Sequence, residues 1–389
     1  MTACIVGWAH GKFGKREGLD LEALVKEVAV QAVADAGLAP SDVDEIMVGH
    51  MGAGFVKQDF PASLVLQADD AFRFKPSTRL ENACATGSAA IHQGITAIEA
   101  RRARIVLVVG VEKMTETPGD QIGSILMKAS YVKEEDRDGM SFAGVFGQIA
   151  QLYAQRHGDQ SDAMARIAAK NHRNGVDNPY AQLRKDLGYE FCRTVSERNP
   201  LVAGPLRRTD CSLVSDGAAA LVLADVGTAL RLPKAVAFRG RAQVNDYLPM
   251  SRRDIVAFEG CARAWQLAHR AAGTSLGDLR LVETHDCFTI AELIQYEAMG
   301  LAAPGEGGNA ALAGITEKTG RLPVNASGGL KAKGHPIGAT GVSMHIMAAM
   351  QATGSAGAMQ VPTPGLAGVF NMGGAAVANY VSILEPLRA

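Results

Sequence analysis

The chain is organised around the stretch Asn82-Ala83-Cys84-Ala85-Thr86-Gly87-Ser88-Ala89-Ala90. Its cysteine precedes a run of small residues, after which isoleucines recur with helical spacing at Ile91, Ile95 and Ile98. Cys84 is therefore predicted at or near the N-terminus of a helix, where the nucleophilic thiolate form is favoured. The small neighbours leave room for an acyl group. The alternative is a structural cysteine packed under an alanine-rich helix.

Charge and cysteine usage argue against several classes of protein. The 389 residues include 39 basic and 40 acidic side chains, so neither a nucleic-acid partner nor a general attraction to anionic membranes is indicated. The cysteines are widely spaced without CxxC pairs, which argues against a disulfide framework or a zinc site and indicates a reducing, cytoplasmic setting. Neither an export signal nor an apolar stretch of about 20 residues is recognisable. The six cysteines are Cys4, Cys84, Cys192, Cys211, Cys261 and Cys287.

Short apolar runs alternate with helical patterns through the first part of the chain. Strands are predicted at residues 3–7, 45–49 and 105–110, with a helix over residues 21–37. The helix that follows the central cysteine is expected to run to about Ala103. This alternation predicts an α/β protein with a mostly parallel sheet that helices cover on both faces.

The order of the predicted elements recurs in the second half. A strand at residues 236–238, a helix at residues 261–272 and a strand at residues 279–283 repeat the order of the first strand, helix and strand. The tripeptide Ala85-Thr86-Gly87 also recurs as Ala339-Thr340-Gly341, each time before a helix. Several elements repeated in one order indicate an internal duplication.

The two copies differ by one long insertion. A second tripeptide, Gly217-Ala218-Ala219, recurs as Gly374-Ala375-Ala376. Gly87 and Gly217 are 130 positions apart, whereas the matching glycines 341 and 374 are 33 positions apart, so the first copy holds about 97 additional residues. They fall roughly within residues 111–208. A structureless loop of this length is unusual in a compact domain, so we predict a lid or a binding subdomain.

Two further stretches hold polar groups that a folded core does not require. His285-Asp286-Cys287-Phe288 follows a predicted strand and precedes a predicted helix, the position at which ligands bind in open α/β sheets. Residues 325–341 surround His335 with glycines and place a proline after it. A histidine held in a glycine-rich loop is suited to act as a general base or as an oxyanion donor. Taken singly, His285 and Cys287 would more often be packed structural residues.

With these residues the chain resembles the thiolase superfamily over nearly its full length. Cys84 and its small-residue helix resemble the nucleophile loop, and Gly334-His335-Pro336 resembles the GHP motif. His285-Asp286-Cys287-Phe288 resembles the HDCF motif of the sterol-carrier-protein-type thiolases, and residues 205–220 are similar to that subgroup. Asn371-Met372-Gly373 stands where most thiolases have Cys-x-Gly. The implied relatives include acetyl-CoA acetyltransferases.

The resemblance implies the duplicated thiolase fold, with two βαβαβαββ-type repeats in five α-β-α-β-α layers. Residues 1–110 and 209–230 would form the N-terminal half, and residues 231–389 the C-terminal half. Residues 111–208 would form an inserted loop domain that binds coenzyme A and influences acyl-length selectivity.

The resemblance also implies roles for individual residues. Cys84 would carry the acyl group in a reversible Claisen condensation or thiolytic cleavage of 3-ketoacyl-CoA, such as acetoacetyl-CoA. Asn371 occupies the position of the usual acid/base cysteine, so Cys287 is expected to take that role. His335 would accept the proton of Cys84 and, together with His285, face the thioester oxygen.

Backbone groups, substrates and partners follow from the same resemblance. The N–H groups of Cys84 and Gly373 would face the second oxyanion. Neither a metal nor a redox cofactor is expected, since coenzyme A thioesters enter as substrates. The implied partners are a second copy of the chain, in a homodimer or homotetramer, and a small OB-fold protein of the kind that some relatives use. Fatty acid or other lipid metabolism is the expected setting.

Two other functions remain open on the same residues. One is a thiolase-fold C-acyltransferase or retro-aldolase that acts on a different acceptor; loss of the two cysteines would favour the aldolase. The other is a non-catalytic, lipid-binding or complex-forming subunit of an acyl-CoA complex. The retained set of Cys84, Cys287 and His335 argues against this last alternative.

Overall fold

The computed structural model describes residues 3–137 and 139–388. The strands in these ranges are β1 (Ala3–His10), β2 (Glu45–Gly49), β3 (Ser77–Leu80), β4 (Ile105–Glu112), β5 (Leu201–Ala203), β6 (Leu206–Arg207), β7 (Gly217–Asp225), β8 (Ala235–Asn245), β9 (Leu281–Glu283), β10 (Ala367–Gly373) and β11 (Ala378–Arg388). The α-helices are α1 (Leu21–Asp35), α2 (Pro61–Leu64), α3 (Thr86–Glu99), α4 (Gly119–Met127), α5 (Val132–Glu135), α6 (Phe142–His157), α7 (Ser161–Val176), α8 (Tyr189–Arg193), α9 (Val226–Ala229), α10 (Glu259–Ala272), α11 (Thr289–Ala298), α12 (Gly307–Leu312), α13 (Gly329–Lys333) and α14 (Ile337–Ala352). Within the described ranges, not one helix has both the length and the apolar character needed to span a membrane.

Nine strands form one mixed sheet in the order β3-β2-β4-β7-β1-β8-β11-β10-β9. In its first part, β7 pairs antiparallel with both β1 and β4, and β4 pairs parallel with β2. The second part repeats this pattern, because β11 pairs antiparallel with both β8 and β10, and β10 pairs parallel with β9. Antiparallel pairing of β1 with β8 joins the two parts. The duplication predicted from the order of elements is therefore confirmed.

Two details of the sequence-based prediction are wrong. The sheet is mixed and not mostly parallel, because residues 374–377 between β10 and β11 are too few for a parallel crossover. The equivalent strands β4 and β7 keep the antiparallel arrangement although the insertion separates them. The helix after Cys84 ends at Glu99 and not near Ala103, since Arg101 adopts a left-handed conformation with φ 59°.

Helices α3 and α14 lie between the two parts of the sheet. Helix α14 contacts α3 and strands of both parts, whereas α1 packs on β1, β4 and β7, and α10 packs on β8 and β11. The helices α3 and α14 approach closely, since a Cβ on Gly87 would lie 2.7 Å from the backbone nitrogen of Val342, and one on Gly341 would overlap the backbone of Ser88. Glycine alone permits this approach. The repeated Ala-Thr-Gly tripeptides thus mark the contact between the two copies, and the predicted α-β-α-β-α layering is confirmed.

The residues between β4 and β7 form a folded segment, with α4 to α8 and the β5–β6 hairpin. Asp216 ties the two ends of this inserted segment together. Its buried carboxylate accepts hydrogen bonds at 2.8 Å from the backbone N–H groups of Met114 and Thr115 and from Lys113 Nζ. Within the segment, α7 packs against α8 and also against α11, α12 and α13 of the second half. The insertion is therefore held against the C-terminal half of the protein.

Buried histidines should make the fold sensitive to acid. Burial, as the largest cause, lowers the pKa of His172 to about 2, that of His10 and His335 to about 3, and that of His345 to about 4. Histidines of the unfolded chain titrate near 6.5, so below about pH 6.5 the unfolded state binds more protons than the folded state. The free energy of unfolding should therefore fall as the pH falls from 7.5 to 5, by up to about 1.4 kcal/mol per pH unit for each histidine.

Urea denaturation at fixed pH values measures this dependence. The variant His345→Gln should show a shallower dependence on pH, because one of the titrating groups is removed. An unchanged slope in this variant, or a free energy of unfolding that rises as the pH falls, would contradict the expectation.

Candidate active site

Cys84 lies on a tight turn between β3 and α3. Ala83, the residue before it, has a φ of 47°, a left-handed conformation that non-glycine residues rarely adopt. The backbone N–H of Asn82 donates to Thr86 Oγ1 at 2.8 Å and closes the turn. Helix α3 begins two residues after Cys84, whose side chain is only 4% exposed. Backbone strain of this kind is often found where a side chain is held for a function.

His285 and Cys287 lie at the carboxyl end of β9, and His335 lies in the short link between α13 and α14. All three side chains are buried. Asp286, between the first two, accepts hydrogen bonds from consecutive backbone N–H groups at the start of α13, at 2.6 and 3.1 Å. The Asp286 carboxylate therefore holds the loop that carries His335 against the segment that carries His285 and Cys287.

Cys84, His285 and His335 form one cluster with contributions from both copies of the fold. The thiol sulfur and one ring nitrogen of each histidine lie within 4.8 Å of one another. The two imidazole rings meet edge to face, with their centroids 5.1 Å apart and an interplanar angle of 84°. Among the described residues, neither His285 Nε2 nor His335 Nε2 has a hydrogen-bond partner. Both Nε2 atoms therefore have unused hydrogen-bonding capacity within the cluster.

Thr340 sets the protonation of His335. Its hydroxyl donates its single hydrogen to the Pro336 carbonyl at 2.9 Å, and the same oxygen lies 2.6 Å from His335 Nδ1. The hydroxyl oxygen must therefore accept a hydrogen bond from Nδ1, which leaves a lone pair on Nε2. Burial, with a smaller contribution from the charge of Lys333, lowers the pKa of His335 to about 3, so the ring is neutral. His335 Nε2 is arranged to receive a proton.

Asn371 sets the opposite tautomer in His285. Its amide NH2 donates to the Cys84 carbonyl at 3.1 Å, and this contact fixes the orientation of the amide because a carbonyl only accepts. The same NH2 group lies 2.9 Å from His285 Nδ1 and donates to it, while Ser88 Oγ donates to the amide oxygen at 2.8 Å. Burial lowers the pKa of His285, which is therefore neutral. With Nδ1 as the acceptor, Nε2 carries the hydrogen and acts as a donor.

A cavity of about 150 Å³ adjoins the cluster. Cys84, Cys287 and His335 line it together with Cys211, so three thiols face one small volume. Much of the remaining wall is apolar, and part of it belongs to the inserted segment. The other lining residues are Met114, Leu126, Phe142, Ala143, Val202, Ser212, Leu213, Val214, Phe288 and Ile337.

Gly373 ends β10 directly against the turn that carries Cys84. A Cβ on Gly373 would overlap the carbonyl oxygen of Asn82 and lie 3.4 Å from the Cβ of Ala83, so only glycine fits. The next backbone N–H, that of Gly374, forms a hydrogen bond with the thiol of Cys84. The structure brings together the five residues singled out from the sequence, Cys84, His285, Cys287, His335 and Gly373.

Burial keeps both candidate catalytic thiols protonated. It raises the pKa of Cys84 to about 12, although the hydrogen bond from Gly374 acts in the opposite direction. Burial, with the charge of Cys84, also raises the pKa of Cys287. The prediction of a favoured Cys84 thiolate is therefore wrong for the folded chain, because the loss of hydration outweighs the effect of the helix end. A thiolate at Cys84 has to form by proton transfer to a neighbouring base.

Sequence patterns do not reveal the supporting roles of Thr340, Ser88 and Cys211. Thr340 follows His335 by five positions in one glycine-rich stretch, and this spacing is the only local signal of their contact. Ser88 is 283 positions from Asn371, so their hydrogen bond follows from the fold alone. Cys211 reaches the cavity because residues 211 and 288 form an isolated antiparallel bridge.

The cluster of Cys84, His285 and His335 also has the donor set of a zinc site. A metal bound at His285 Nε2 would have to displace the hydrogen that the bond from Asn371 keeps on that atom. The tautomers therefore suit proton transfer better than metal ligation. The expectation that no metal takes part stays a prediction.

Family models match nearly the whole chain. The model of the thiolase N-terminal domain matches residues 3–226, and the model described as thiolase C-terminal domain-like matches residues 242–386. The chain belongs to the thiolase family, as its motifs indicated.

Similar proteins are found within two groups of this family. An acetyl-CoA acetyltransferase of Methanothermobacter thermautotrophicus is 35% identical over 376 residues, which cover 95% of this chain and 96% of the relative. Sterol carrier protein 2 of Bos taurus is 31% identical over 390 residues, which cover 95% of this chain and 69% of the relative. The solved structure of an Ltp2-ChsH2(DUF35) aldolase has a TM-score of 0.86 at 23% identity and covers 100% of this chain and 98% of its own, which supports the fold alone.

Proposed function

We propose that the chain is a thiolase that condenses acyl-CoA thioesters, or cleaves 3-ketoacyl-CoA, through an acyl group on Cys84. The observation that carries this proposal is the cluster of Cys84, His285 and His335, in which one Nε2 has a lone pair and the other a hydrogen. Cys287 lines the adjoining cavity. These groups supply a nucleophile, its base, an oxyanion donor and a second acid/base.

In the cleavage direction, His335 Nε2 removes the thiol proton of Cys84, and the sulfur attacks the 3-keto carbon of the substrate. The bond between the α-carbon and the keto carbon then breaks, and the Cys287 thiol donates its proton to the α-carbon of the departing acetyl-CoA enolate. The Cys287 thiolate next removes the proton of free coenzyme A, whose sulfur attacks the acyl group on Cys84. His335 returns its proton to the sulfur of Cys84. Condensation is the reverse sequence.

Two oxyanions need hydrogen-bond donors in this sequence. We assign the enolate oxygen to His285 Nε2–H and to the protonated His335. The oxyanion at the carbon bound to Cys84 is assigned to the backbone N–H groups of Cys84 and Gly373. A donor of this kind contributes about 3–4 kcal/mol to the stability of the transition state.

The inserted segment is proposed to hold coenzyme A and to limit the acyl group. Met114, Leu126, Phe142 and Val202 of this segment line the cavity next to Cys84. A cavity of about 150 Å³ is of the size that accepts benzene in another protein. Acetyl and short acyl groups are therefore the proposed substrates.

A thiolysis assay with 3-ketoacyl-CoA substrates of increasing chain length tests the proposal. The protein should consume coenzyme A with acetoacetyl-CoA and the next longer homologues, and the rate should fall once the chain exceeds the cavity. Wild-type protein without coenzyme A is the control, since cleavage should then stop after one acyl group per site. Absence of thiolysis at every length would contradict the proposal.

A second candidate is retro-aldol cleavage, with which the similarity in fold to the Ltp2-ChsH2(DUF35) aldolase is compatible. Such a reaction needs no acyl group on a thiol, so it should proceed without coenzyme A as acceptor and leave Cys84 unmodified. A small OB-fold partner protein remains part of this candidate. Activity that appears only with such a partner and without thiolysis would favour it, and absence of both activities would favour a non-catalytic subunit.

Replacement of Asn371 by alanine is expected to lower the rate of thiolysis about ten- to hundredfold, because His285 loses the partner that fixes its tautomer. Asn371→Asp should lower the rate of thiolysis further, because a carboxylate only accepts hydrogen bonds and would place the hydrogen of the ring on His285 Nδ1. Nitrogen chemical shifts of His285 in labelled protein distinguish the two tautomers. Identical shifts in wild type and Asn371→Asp would contradict the assignment.

We also propose a homodimer or homotetramer. Strand β3 lies at one edge of the nine-stranded sheet, and Phe60 and Phe74 near it are 70% and 86% exposed. Unpaired edges and exposed aromatic side chains favour association. Light scattering on the purified protein measures the oligomeric state.

The proposed location is the reducing cytoplasm. The mechanism needs Cys84 and Cys287 as free thiols, and all six cysteines are free thiols in the structure.

A further inference from the structure

A second, more basic cavity of about 360 Å³ lies beside the catalytic one. We call it the basic pocket. His172 of α7 and Lys331 of α13 line it and are buried, whereas Arg198 and Arg208 line it and are exposed. Leu213 lines both the basic pocket and the catalytic cavity, so the two are neighbours. Glu197 is the only acidic residue among its described lining residues, against three basic side chains.

Lys331 is the unusual member of the basic pocket. Its side chain is only 2% exposed, yet no hydrogen bond or ion pair joins its Nζ to another described residue. The carboxylates whose charges act on it have other partners: Asp210 accepts from Arg207 Nε at 2.8 Å, and Asp286 accepts from Asn171 Nδ2 at 2.8 Å. A buried ammonium group without a partner is costly, so its position calls for an anion.

His172 gives a second, independent sign of a missing partner. It is 1% exposed, and neither of its ring nitrogens has a hydrogen-bond partner among the described residues. Burial and the charge of Lys331 lower its pKa to about 2, so the ring is neutral and offers one N–H donor. Buried polar groups in native proteins nearly always have partners, and a donor beside a lone ammonium suits an anionic oxygen.

We propose that the basic pocket binds a phosphate group, held by Lys331 Nζ and a ring N–H of His172 at its buried side and by Arg198 and Arg208 at its exposed side. Two sources share this chemistry. One is a phosphate of the coenzyme A nucleotide, and for this source the inference rests on the proposed function, with Leu213 between the pocket and the catalytic cavity. The other is a free phosphate ion that would regulate the site.

Titration calorimetry distinguishes these sources. The probes are coenzyme A, dephospho-coenzyme A, which lacks the 3′-phosphate, and inorganic phosphate, each with wild type, Lys331→Met and the exposed control Lys57→Met. Loss of a charge-assisted hydrogen bond should weaken binding about ten- to hundredfold in Lys331→Met. Lys57→Met should bind as the wild type does, and Lys331→Arg should recover most of the affinity.

Each pattern of results has one meaning. Weaker binding of coenzyme A but not of dephospho-coenzyme A assigns the pocket to the 3′-phosphate, and equal weakening of both assigns it to the diphosphate. Weaker binding of inorganic phosphate alone assigns it to a free ion. If Lys331→Met changes the affinity for none of the probes, the proposal is overturned.

Two further measurements keep the outcome clear. Arg208→Gln at the exposed side should weaken the binding of the same probes. It replaces Lys331→Met if the buried substitution prevents folding. Unchanged affinities in Arg208→Gln would then overturn the proposal. Calorimetry needs no turnover, so loss of the proposed function leaves this test intact. With an active enzyme, and with the coenzyme A nucleotide as the source of the phosphate, Lys331→Met should raise the KM for acyl-CoA and leave the KM for the corresponding acyl-pantetheine unchanged.

Discussion

Replacement of Cys84 by alanine is expected to abolish the covalent acyl-enzyme and to lower thiolysis by on the order of 10⁴-fold or more, as removal of a catalytic nucleophile does in other enzymes. The physical reason is the position of the thiol, whose sulfur lies within 4.8 Å of a ring nitrogen of both His285 and His335. Mass spectrometry after brief exposure to acetyl-CoA measures the adduct, and peptide mapping locates it. The small change from thiol to methyl should leave the fold intact.

The matched control is Cys261→Ala, which removes a buried thiol from α10 that is not among the lining residues of the cavity. It should retain both the adduct and the turnover. Cys211 lines the same cavity as Cys84, so the peptide mapping has to distinguish an adduct on Cys211 from one on Cys84. An adduct that survives in Cys84→Ala, or that maps to Cys211 or Cys192 in the wild type, would remove Cys84 as the nucleophile.

Replacement of Cys287 by alanine is expected to leave the acyl group on Cys84 but to slow proton exchange at the α-carbon of acetyl-CoA by about 10²- to 10⁴-fold. Asn371 cannot replace the lost group, because an amide does not exchange a proton near neutral pH. Deuterium wash-in from heavy water measures the exchange directly. In the wild type the wash-in rate should rise between pH 7 and 9, since burial raises the pKa of the Cys287 thiol and the thiolate fraction grows with pH.

Measurements of the acyl adduct and of the proton exchange distinguish the roles of Cys84 and Cys287. Cys287→Ala should show adduct without exchange, and Cys84→Ala should show no adduct. Asn371→Ala should keep measurable exchange, because Asn371 holds His285 in place but does not itself exchange a proton. Equal wash-in rates in wild type and Cys287→Ala would rule out Cys287 as the base and leave it as a packed residue of the cavity wall.

Much of the fold can be predicted from local patterns in the sequence. The order of apolar runs and helical patterns repeats along the chain, and the sheet has the same repeat of strand pairings. The repeated Ala-Thr-Gly tripeptides have a direct physical cause in the close packing of α3 on α14 at Gly87 and Gly341. The direction of the strands could not be predicted in the same way, because it depends on whether a link is a short hairpin or a crossover.

The candidate site shows the same division between sequence and tertiary structure. The sequence by itself determined which chemical groups are present, since Cys84, Cys287, His285 and His335 each lie in a short motif with glycines or small residues around it. The fold decided how those groups are protonated. The tautomer of His285 depends on Asn371, which is 86 positions away, and burial raises the pKa of Cys84, against the expectation from the helix start. Hydrogen-bond partners and loss of hydration are properties of the assembled interior, and no local pattern specifies them.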